Sequence, residues 1–203
     1  MKKIVLSLVC ALSCLFAFGA QAAVDAAKAE AFVKGVTQNG IENIINANIP
    51  QAEKDKRFAK LFNEALDIQF IGQFVLGRYW RTATPEQRQE FIDAYRDLNV
   101  QTWSKRFDEF KGRDFVFKGT DASNSANQVF VNSTVPMEQG EPAKVVWRVK
   151  QNGNEFKIVD IIIENVSLAI TARNEYTAFI KQSPDGVAGL IKNLQEKTKG
   201  AVK

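Results

Sequence analysis

The stretch that decides the fold is residues 74–98, FVLGRYWRTATPEQRQEFIDAYRDL. It joins a turn-forming segment with two large aromatic residues to the start of a long amphipathic helix. Thr84 can cap the first backbone N–H groups, Pro85 suits the first helical position, and Gln87 can reach back in a capping box. The stretch therefore predicts a helix that begins at Pro85.

That helix is predicted to run to about Lys111 and to stop near Gly112. Large side chains recur along it at helical spacing, which favours one broad buried stripe: Phe91, Tyr95, Leu98, Trp103, Phe107 and Phe110. Upstream, the same kind of spacing predicts a helix through residues 32–45 and a second from about Glu53. A short third helix follows, and Asp67 is expected to cap it.

Beyond Gly112 the apolar period changes to two, which predicts strands at residues 114–118, 128–135, 144–150 and 156–163. Asn152-Gly153 favours a hairpin turn between the last two. The strand FKIVDIII is apolar on both faces and is expected to lie centrally in the sheet. Two helices close the chain, from about Ala172 and after Pro184. The predicted fold is one α+β domain with helices packed on an antiparallel sheet of about four strands.

Residues 1–22 have the pattern of a secretory signal peptide, with a basic start, an apolar stretch and the small-x-small sequence Ala20-Gln21-Ala22. The apolar stretch is short for a membrane span. Residues 23–203 are therefore expected to form the mature single domain. The alternatives are a retained anchor helix and lipid modification at Cys14, although Ala11 stands where a lipoprotein signal usually has a large aliphatic residue.

Composition excludes several classes of function. The chain has no histidine, and Cys10 and Cys14 both fall in the predicted signal peptide. The mature chain therefore lacks a disulfide, a thiolate nucleophile, a Ser–His–Asp triad, the usual zinc ligands and a histidine pH switch. Its formal charge falls from +4 to +2 once Lys2 and Lys3 are removed, so nothing indicates nucleic-acid binding. No catalytic residue, metal site or enzymatic activity is predicted.

The aromatic content has two interpretations. The chain has 15 Phe, 3 Trp and 3 Tyr, and an aromatic stripe at helical spacing usually fills a core. A lipid pocket uses the same residue types but leaves a space between them. The residues alone do not decide between a filled core and a pocket.

Two long motifs resemble a known family. The first is the turn Leu76-Gly77-Arg78-Tyr79-Trp80 with the Ala-Thr-Pro-x-Gln-Arg sequence at residues 83–88. The second is VDIIIENVSL at residues 159–168, followed by Arg173, Tyr176 and the helix start DGVAGL at 185–190. Over about residues 74–194 the chain resembles the MlaC-like, or toluene-tolerance, family of periplasmic phospholipid-binding proteins. Asn165 stands where the family usually has Gly, and Asn is the next-best residue for a left-handed position.

The resemblance implies a cavity between sheet and helices that holds phospholipid acyl chains. The candidate cavity residues are Phe74, Trp80, Phe91, Tyr95, Trp103, Val131, Trp147, Val149, Ile161, Ile163, Val166 and Leu168. Arg78 and Arg148 are the head-group candidates, and Arg81 is expected to be solvated. Asp160 is expected to pair with a nearby Arg or a backbone donor.

The resemblance also implies a function and partners. The expected protein is a periplasmic monomer with no cofactor other than bound phospholipid. It would shuttle lipid between an outer-membrane lipoprotein complex and an inner-membrane ABC transporter, and so keep the outer membrane asymmetric. The alternatives are a carrier of another apolar cargo (a hopanoid, a solvent or a quinone), a lipid-acting enzyme, and an interaction module that binds no ligand.

Overall fold

The computed structural model describes residues 24–107 and 111–200, without the side chain of Phe107. The predicted signal peptide, both cysteines and Phe110 lie outside the described residues. The helices are α1 (Ala26–Gly40), a π-helical turn (Ile41–Ile45), α2 (Gln51–Ala65), α3 (Ile68–Leu76), α4 (Tyr79–Thr82), α5 (Pro85–Phe107), α6 (Leu168–Gln182) and α7 (Gly186–Gly200). The strands are β1 (Val116–Ala122), β2 (Gln128–Val135), β3 (Ala143–Asn152), β4 (Glu155–Ile163) and β5 (Val166–Ser167).

The predicted capping box at the start of α5 is confirmed. The backbone N–H of Gln87 donates to Thr84 Oγ1 at 3.2 Å, and the N–H of Thr84 donates to Gln87 Oε1 at 3.1 Å. Asp67 caps α3 as expected, since its Oδ1 accepts from the N–H of Phe70 at 3.0 Å. At the other end of α5 the prediction was too long, because Lys111 already lies in a turn.

The first predicted helix is two kinds of helix in series. After α1 the chain takes a wider turn, in which the N–H of Asn46 reaches the carbonyl of Ile41 at 2.9 Å. A helix of this kind has one more residue per hydrogen-bonded ring than an α-helix. Two cations of α2 donate hydrogen bonds to carbonyls of the π-helical turn. Lys54 Nζ lies 3.1 Å from Ile45 O, and Arg57 Nη1 lies 3.1 Å from Asn43 O. Cations are favourable at a helix C-terminus.

The sheet confirms the predicted α+β class. Its five strands lie in chain order, and neighbouring strands are antiparallel. The strand beyond the expected four is the two-residue β5. It follows a tight turn in which Glu164 and Asn165 both have positive φ, 48° and 65°, so Asn165 takes the left-handed conformation expected of it. The predicted hairpin between β3 and β4 is also present, with Gly153 at φ 59°.

The expectation that β4 lies centrally was wrong. On one side β4 pairs along its length with β3, but on the other it meets only the short β5 at its C-terminal end. Near its middle, Leu66 forms a parallel bridge to Ile158, and the N–H of Asp67 donates to the Ile158 carbonyl at 3.0 Å. The junction of α2 and α3 thus covers this edge. A covered edge accounts for a strand that is apolar on both faces.

Two other boundaries differ from the predictions. Strand β1 lies at Val116–Ala122, further along than residues 114–118. Helix α6 begins at Leu168, before Ala172, because Ser167 caps it: the N–H of Ile170 donates to Ser167 Oγ at 3.0 Å. The earlier start carries Leu168 and Ala169 on the first turn of the helix.

Three groups of buried residues form the core. One joins α3, α5, α6 and α7 around Phe91 and Leu190. A second lies between α1 and the inner face of the sheet, around Val33 and Val131. A third joins the π-helical turn, α2 and α5 around Phe58. Residues of all three groups line one cavity, so the packing of the helices on one another and on the sheet determines its shape.

Candidate functional site

The cavity lies between the inner face of the sheet and helices α1, α2 and α5, and has a volume of about 150 Å³. Hydrophobic side chains make up most of the lining. The lining residues are Val36, Thr37, Ile41, Ile45, Phe58, Leu61, Phe62, Ala65, Leu66, Ile71, Tyr95, Asn99, Trp103, Phe115, Val145, Trp147, Ile158, Asp160, Ile161, Ile163, Leu168 and Ala169.

Two polar side chains in the lining, Thr37 and Asn99, bind backbone carbonyls of their own helices. Thr37 Oγ1 lies 3.0 Å from the carbonyls of both Val33 and Lys34, and Asn99 Nδ2 donates to the carbonyl of Tyr95 at 2.8 Å. A side-chain donor with such a partner does not need a polar ligand or water. These two side chains therefore leave the cavity suited to an apolar occupant.

Among the described residues, Asp160 is the one carboxylate in the lining, and it is 7% exposed. Its Oδ1 accepts from the backbone N–H of Ala169 at 3.0 Å, and its Oδ2 accepts from Ser167 Oγ at 2.5 Å. The prediction of a backbone donor is thus confirmed. The charge lies at the N-terminus of α6, where the helix dipole favours an anion. Asp160 therefore joins β4 to α6.

Trp147 is fixed in the sheet wall by a short chain of hydrogen bonds. Its indole Nε1 donates to Ser133 Oγ at 2.9 Å, and Ser133 Oγ donates to the carbonyl of Val145 at 2.8 Å. Phe115 meets the indole edge-on, with 5.6 Å between ring centroids. Edge-to-face contacts of this kind are favourable beyond the area they bury, so the large indole presents one defined face to the cavity.

Tyr95 lines the cavity and belongs to a cluster of three aromatic rings in the helical core. Tyr95 stacks on Phe91 at 5.9 Å between centroids, and Tyr176 meets both rings edge-on at 6.1 and 6.2 Å. Burial raises the pKa of Tyr95 well above its usual value of 10, and the charges of Tyr176 and Asp160 raise it further. Burial also raises the pKa of Tyr176 to about 12, and Glu175 adds to the effect. Both hydroxyls are therefore neutral at physiological pH.

The structure brings together six of the twelve cavity candidates named from the sequence. Those that line the cavity are Tyr95, Trp103, Trp147, Ile161, Ile163 and Leu168. The other six do not line it. Phe74, Trp80 and Phe91 belong to the helical core, Val131 and Val149 to the core beneath α1, and Val166 is 55% exposed.

Neither head-group candidate lines the cavity. Arg78 is exposed, and its Nη2 donates to the Tyr79 hydroxyl at 2.8 Å. Arg148 stands on the other face of β3 from Trp147, with its guanidinium 5.9 Å from the ring centroid of Phe130. The Nε of Arg148 is buried and has no hydrogen-bond partner within the described residues.

Sequence reasoning missed the wall contributed by the first two helices. The missed residues include Val36, Ile41, Ile45, Phe58, Leu61 and Phe62. Their helical periodicity was visible, but a stripe that faces a cavity has the same spacing as one that faces a core. The switch to a π-helical turn, which aims Ile41 and Ile45 at the cavity, has no signature in the apolar pattern.

Two further features bear on the kind of site. Within residues 24–107 and 111–200, no cluster of three or more Cys, Asp or Glu side chains could hold a metal ion. In the same part of the chain, no helix combines the length and apolar character needed to cross a membrane.

Comparison with known proteins identifies the family. The family model described as MlaC protein matches residues 34–196, which is most of the chain. This chain belongs to the MlaC family. A curated MlaC relative is the intermembrane phospholipid transport system binding protein of Haemophilus influenzae. It is 20% identical over 162 residues, which cover 75% of this chain and 74% of the relative.

A solved structure shares the fold. It is the phospholipid-binding protein from Ralstonia solanacearum in complex with a phospholipid, 27% identical, with a TM-score of 0.75. The match covers 86% of this chain and 99% of the other. These matches confirm the MlaC-like resemblance drawn from the two sequence motifs.

Proposed function

We propose that this MlaC-family chain is a phospholipid carrier that holds acyl chains in the cavity between its sheet and its helices. The observation that carries the proposal is a cavity lined mostly by hydrophobic side chains, in which Thr37 and Asn99 donate hydrogen bonds to their own helices. The Ralstonia protein, which shares the fold, was solved in complex with a phospholipid. The Haemophilus relative is named as the binding protein of an intermembrane phospholipid transport system.

The energetics of lipid transfer explain why such a cavity is useful. Each buried CH₂ group is worth about 0.8 kcal/mol, so exposing two chains of ~16 carbons to water costs roughly 20 kcal/mol or more. A carrier that replaces water with apolar side chains removes most of that barrier. Because bilayer and cavity are both apolar, the net affinity is modest, and exchange can proceed in either direction.

We assign acyl-chain contact first to the candidates that line the cavity: Tyr95, Trp103, Trp147, Ile161, Ile163 and Leu168. Phe91, Val131 and Val149 are buried behind the lining, and their contact with lipid is proposed only for a widened cavity. The same holds for Phe74 and Trp80, while exposed Val166 would meet lipid only outside the cavity. Head-group contact by Arg78 or Arg148 stays a prediction.

The volume of the cavity implies movement of its walls. Pockets that enclose ligands usually measure about 300–1,000 Å³, whereas this cavity measures about 150 Å³. The sheet wall is held by strand pairing, whereas α2 and the π-helical turn are joined by side-chain contacts, those of Lys54 and Arg57 and the buried group around Phe58. We propose that α2 and the π-helical turn move apart from the sheet to admit the chains.

The cellular role is part of the proposal. We propose a periplasmic protein, exported by the predicted signal peptide, that passes phospholipid between an outer-membrane lipoprotein complex and an inner-membrane ABC transporter and so maintains outer-membrane lipid asymmetry. A monomer without catalytic activity is sufficient for this role. The absence of histidine from the whole sequence supports a carrier over a lipid-acting enzyme.

A second candidate follows from the same volume. A cavity of about 150 Å³ matches the size of small apolar molecules without any movement of the walls, since an engineered cavity of about that volume binds benzene. A carrier of a solvent-sized apolar cargo is therefore the alternative to a phospholipid carrier.

Native mass spectrometry of the protein, purified from the periplasm of cells that produce the full chain, tests both candidates. We expect a mass increment that matches an intact two-chain phospholipid, with the same lipid recovered by solvent extraction. A smaller extracted apolar molecule would favour the second candidate. A protein that carries no ligand and takes up none from phospholipid vesicles would contradict both.

A further inference from the structure

A surface outside the cavity lining carries four arginine side chains close together. They are Arg78, Arg81 and Arg88, on the segment from α3 to α5, and Arg173 on α6; we call them the arginine patch. Three of their guanidinium groups stand over aromatic rings of the same region. Arg173 lies 4.9 Å from the ring centroid of Phe74, Arg78 lies 4.9 Å from that of Tyr79, and Arg88 lies 5.5 Å from that of Trp80.

Gly77 brings the two parts of the patch together. Its φ of +57° is unfavourable for other residues, and a Cβ at this position would lie 3.1 Å from Nε of Arg173. The missing side chain therefore lets Arg173 of α6 pack against the loop that carries Arg78. Across the patch, Arg88 Nε donates to the Trp80 carbonyl at 2.7 Å, which ties α5 to α4.

The patch lacks acidic partners of its own. Within the described residues none of its four arginines forms an ion pair, whereas Arg57, Arg96 and Arg113 each do. The acidic side chains nearest in sequence are Glu86, Glu90 and Glu175, and within the described residues none of them forms an ion pair with an arginine of the patch. Hydrogen bonds to its own backbone N–H and to the Thr84 hydroxyl lower the pKa of Glu86, so this carboxylate is engaged at the start of α5. The positive charge of the patch is left for an external group.

We propose that the arginine patch is a docking surface for an acidic protein segment. A guanidinium stacked on a ring keeps its planar set of donors for a carboxylate, and the stacking reduces the entropy lost on binding. Arginine, tyrosine and tryptophan are also the residues most enriched at the energetic centre of protein interfaces. Ile170, 51% exposed and one turn before Arg173 on α6, adds an apolar contact beside the charges.

A protein segment fits the patch better than a membrane surface does. Peripheral helices that bind anionic bilayers combine a basic face with a continuous row of large apolar residues. Here Phe74, Tyr79 and Trp80 are half-buried beneath the guanidinium groups rather than free to insert. The inference does not require that the cavity bind phospholipid, so the two proposals can fail separately.

The first experiment identifies what touches the patch. A photo-crosslinking residue replaces Thr82, which is exposed between Arg81 and Arg88, and the full chain is irradiated in its native cell. Crosslinked peptides are then sequenced by mass spectrometry. The control carries the same residue at Lys118, an exposed position on β1. We expect position 82, and not position 118, to crosslink to a segment rich in Asp and Glu. Crosslinks to lipid alone, or to a segment without excess acidic charge, would overturn the proposal.

The second experiment measures the electrostatic contribution with the crosslinked segment as a synthetic peptide. Arg81→Glu should weaken binding by about tenfold or more, whereas Lys118→Glu, which changes the net charge equally, should leave it unchanged. Arg173→Gln tests the α6 side of the patch and should weaken binding several-fold. Binding should also fall as salt concentration rises. Equal effects of Arg81→Glu and Lys118→Glu would mean a nonspecific charge effect and would overturn the proposal.

Two controls separate this inference from the lipid proposal. Phospholipid content and thermal stability are measured for each variant, and we expect both to match the parent protein. Binding to phosphatidylglycerol vesicles is compared with binding to phosphatidylcholine vesicles. If Arg81→Glu abolishes vesicle binding but not peptide binding, the patch serves a membrane, and the docking proposal is wrong whatever the cavity holds.

Discussion

The indole of Trp147 donates a hydrogen bond to the hydroxyl of Ser133 across the β2–β3 ladder, at 2.9 Å. Ser133 is 3% exposed, and its hydroxyl donates a hydrogen bond to the Val145 carbonyl. The largest side chain of the sheet wall is thus held by one small polar residue, and the geometry of the wall depends on it.

Replacing Ser133 by Ala should destabilise the protein by about 1–3 kcal/mol, because the buried indole N–H loses its acceptor. Urea unfolding measures the change. In a Trp147→Phe background the same substitution should cost less, since no indole N–H is left without a partner. Equal costs in the two backgrounds would show that this hydrogen bond does not matter.

Asp160→Asn should also cost about 1–3 kcal/mol, since the amide nitrogen cannot accept a hydrogen bond where one carboxylate oxygen now does. The first turn of α6 should exchange its amide hydrogens faster, because Asp160 binds both Ser167 and the Ala169 N–H. Hydrogen exchange and urea unfolding together test this. Asp114→Asn, at an exposed position, is the control and should change neither.

Ala65→Leu should lower phospholipid content without lowering stability. Ala65 is 2% exposed and lines the cavity, so a larger side chain there would occupy volume proposed for acyl chains. The same side chain would gain packing contacts in a space that is now empty, and stability should therefore not fall. Native mass spectrometry and thermal melting give the two readings. Ala178→Leu on the exposed face of α6 is the matched control. Full lipid loading of the Ala65→Leu protein would argue against this cavity as the binding site.

Stability should fall as pH rises from about 10 to about 12, in part because of two tyrosines. Burial raises the pKa of Tyr95, and that of Tyr176 to about 12, whereas tyrosine in the unfolded chain ionises near 10. Below pH 10 both states are protonated and the stabilisation is complete. Above it the unfolded chain loses protons first, which costs up to about 1.4 kcal/mol per pH unit for each tyrosine. The Tyr95→Phe/Tyr176→Phe protein should show a flatter profile in urea unfolding; an unchanged slope would contradict this.

Two glycines should respond to alanine in opposite ways. Gly35 lies in the middle of α1 with no neighbouring atom within 4 Å of a Cβ, so Gly35→Ala should stabilise by about 0.5–1 kcal/mol through helix propensity. Gly77 has φ +57° and ψ −127° and packs against Arg173. Gly77→Ala should destabilise by about 1–3 kcal/mol. Thermal unfolding compares them, and a change of the same sign in both would be against expectation.

The features that local chemistry determines could be predicted from the sequence. The Thr84–Gln87 capping box, the Asp67 cap and the left-handed Asn165 each depend on a few neighbouring residues. The α+β class followed from the change of apolar period after Gly112. Each of these features depends on interactions between residues that are close in sequence.

The cavity could be predicted only in part, because it depends on how distant elements meet. Phe91 and Trp103 lie on the same predicted stripe of α5, yet Phe91 is fully buried and Trp103 lines the cavity. Periodicity tells which face of a helix is apolar and not what stands opposite. Opposite Phe91 is Tyr176 of α6, whereas Trp103 packs against the group formed by α2 and the π-helical turn.

The order of strands in the sheet is their order along the chain, and this has a consequence for how the protein folds. Each strand pairs with the one just before it, so every pairing closes a short loop at low entropic cost. Helix α1 meets the same sheet from far away, as when the N–H of Asp25 binds the side chain of Gln151, 126 residues later. We expect pulsed hydrogen exchange during refolding to protect β2–β4 before α1. The first part of the domain to be synthesised would then be the last to join the fold, and the cavity would close only on its arrival.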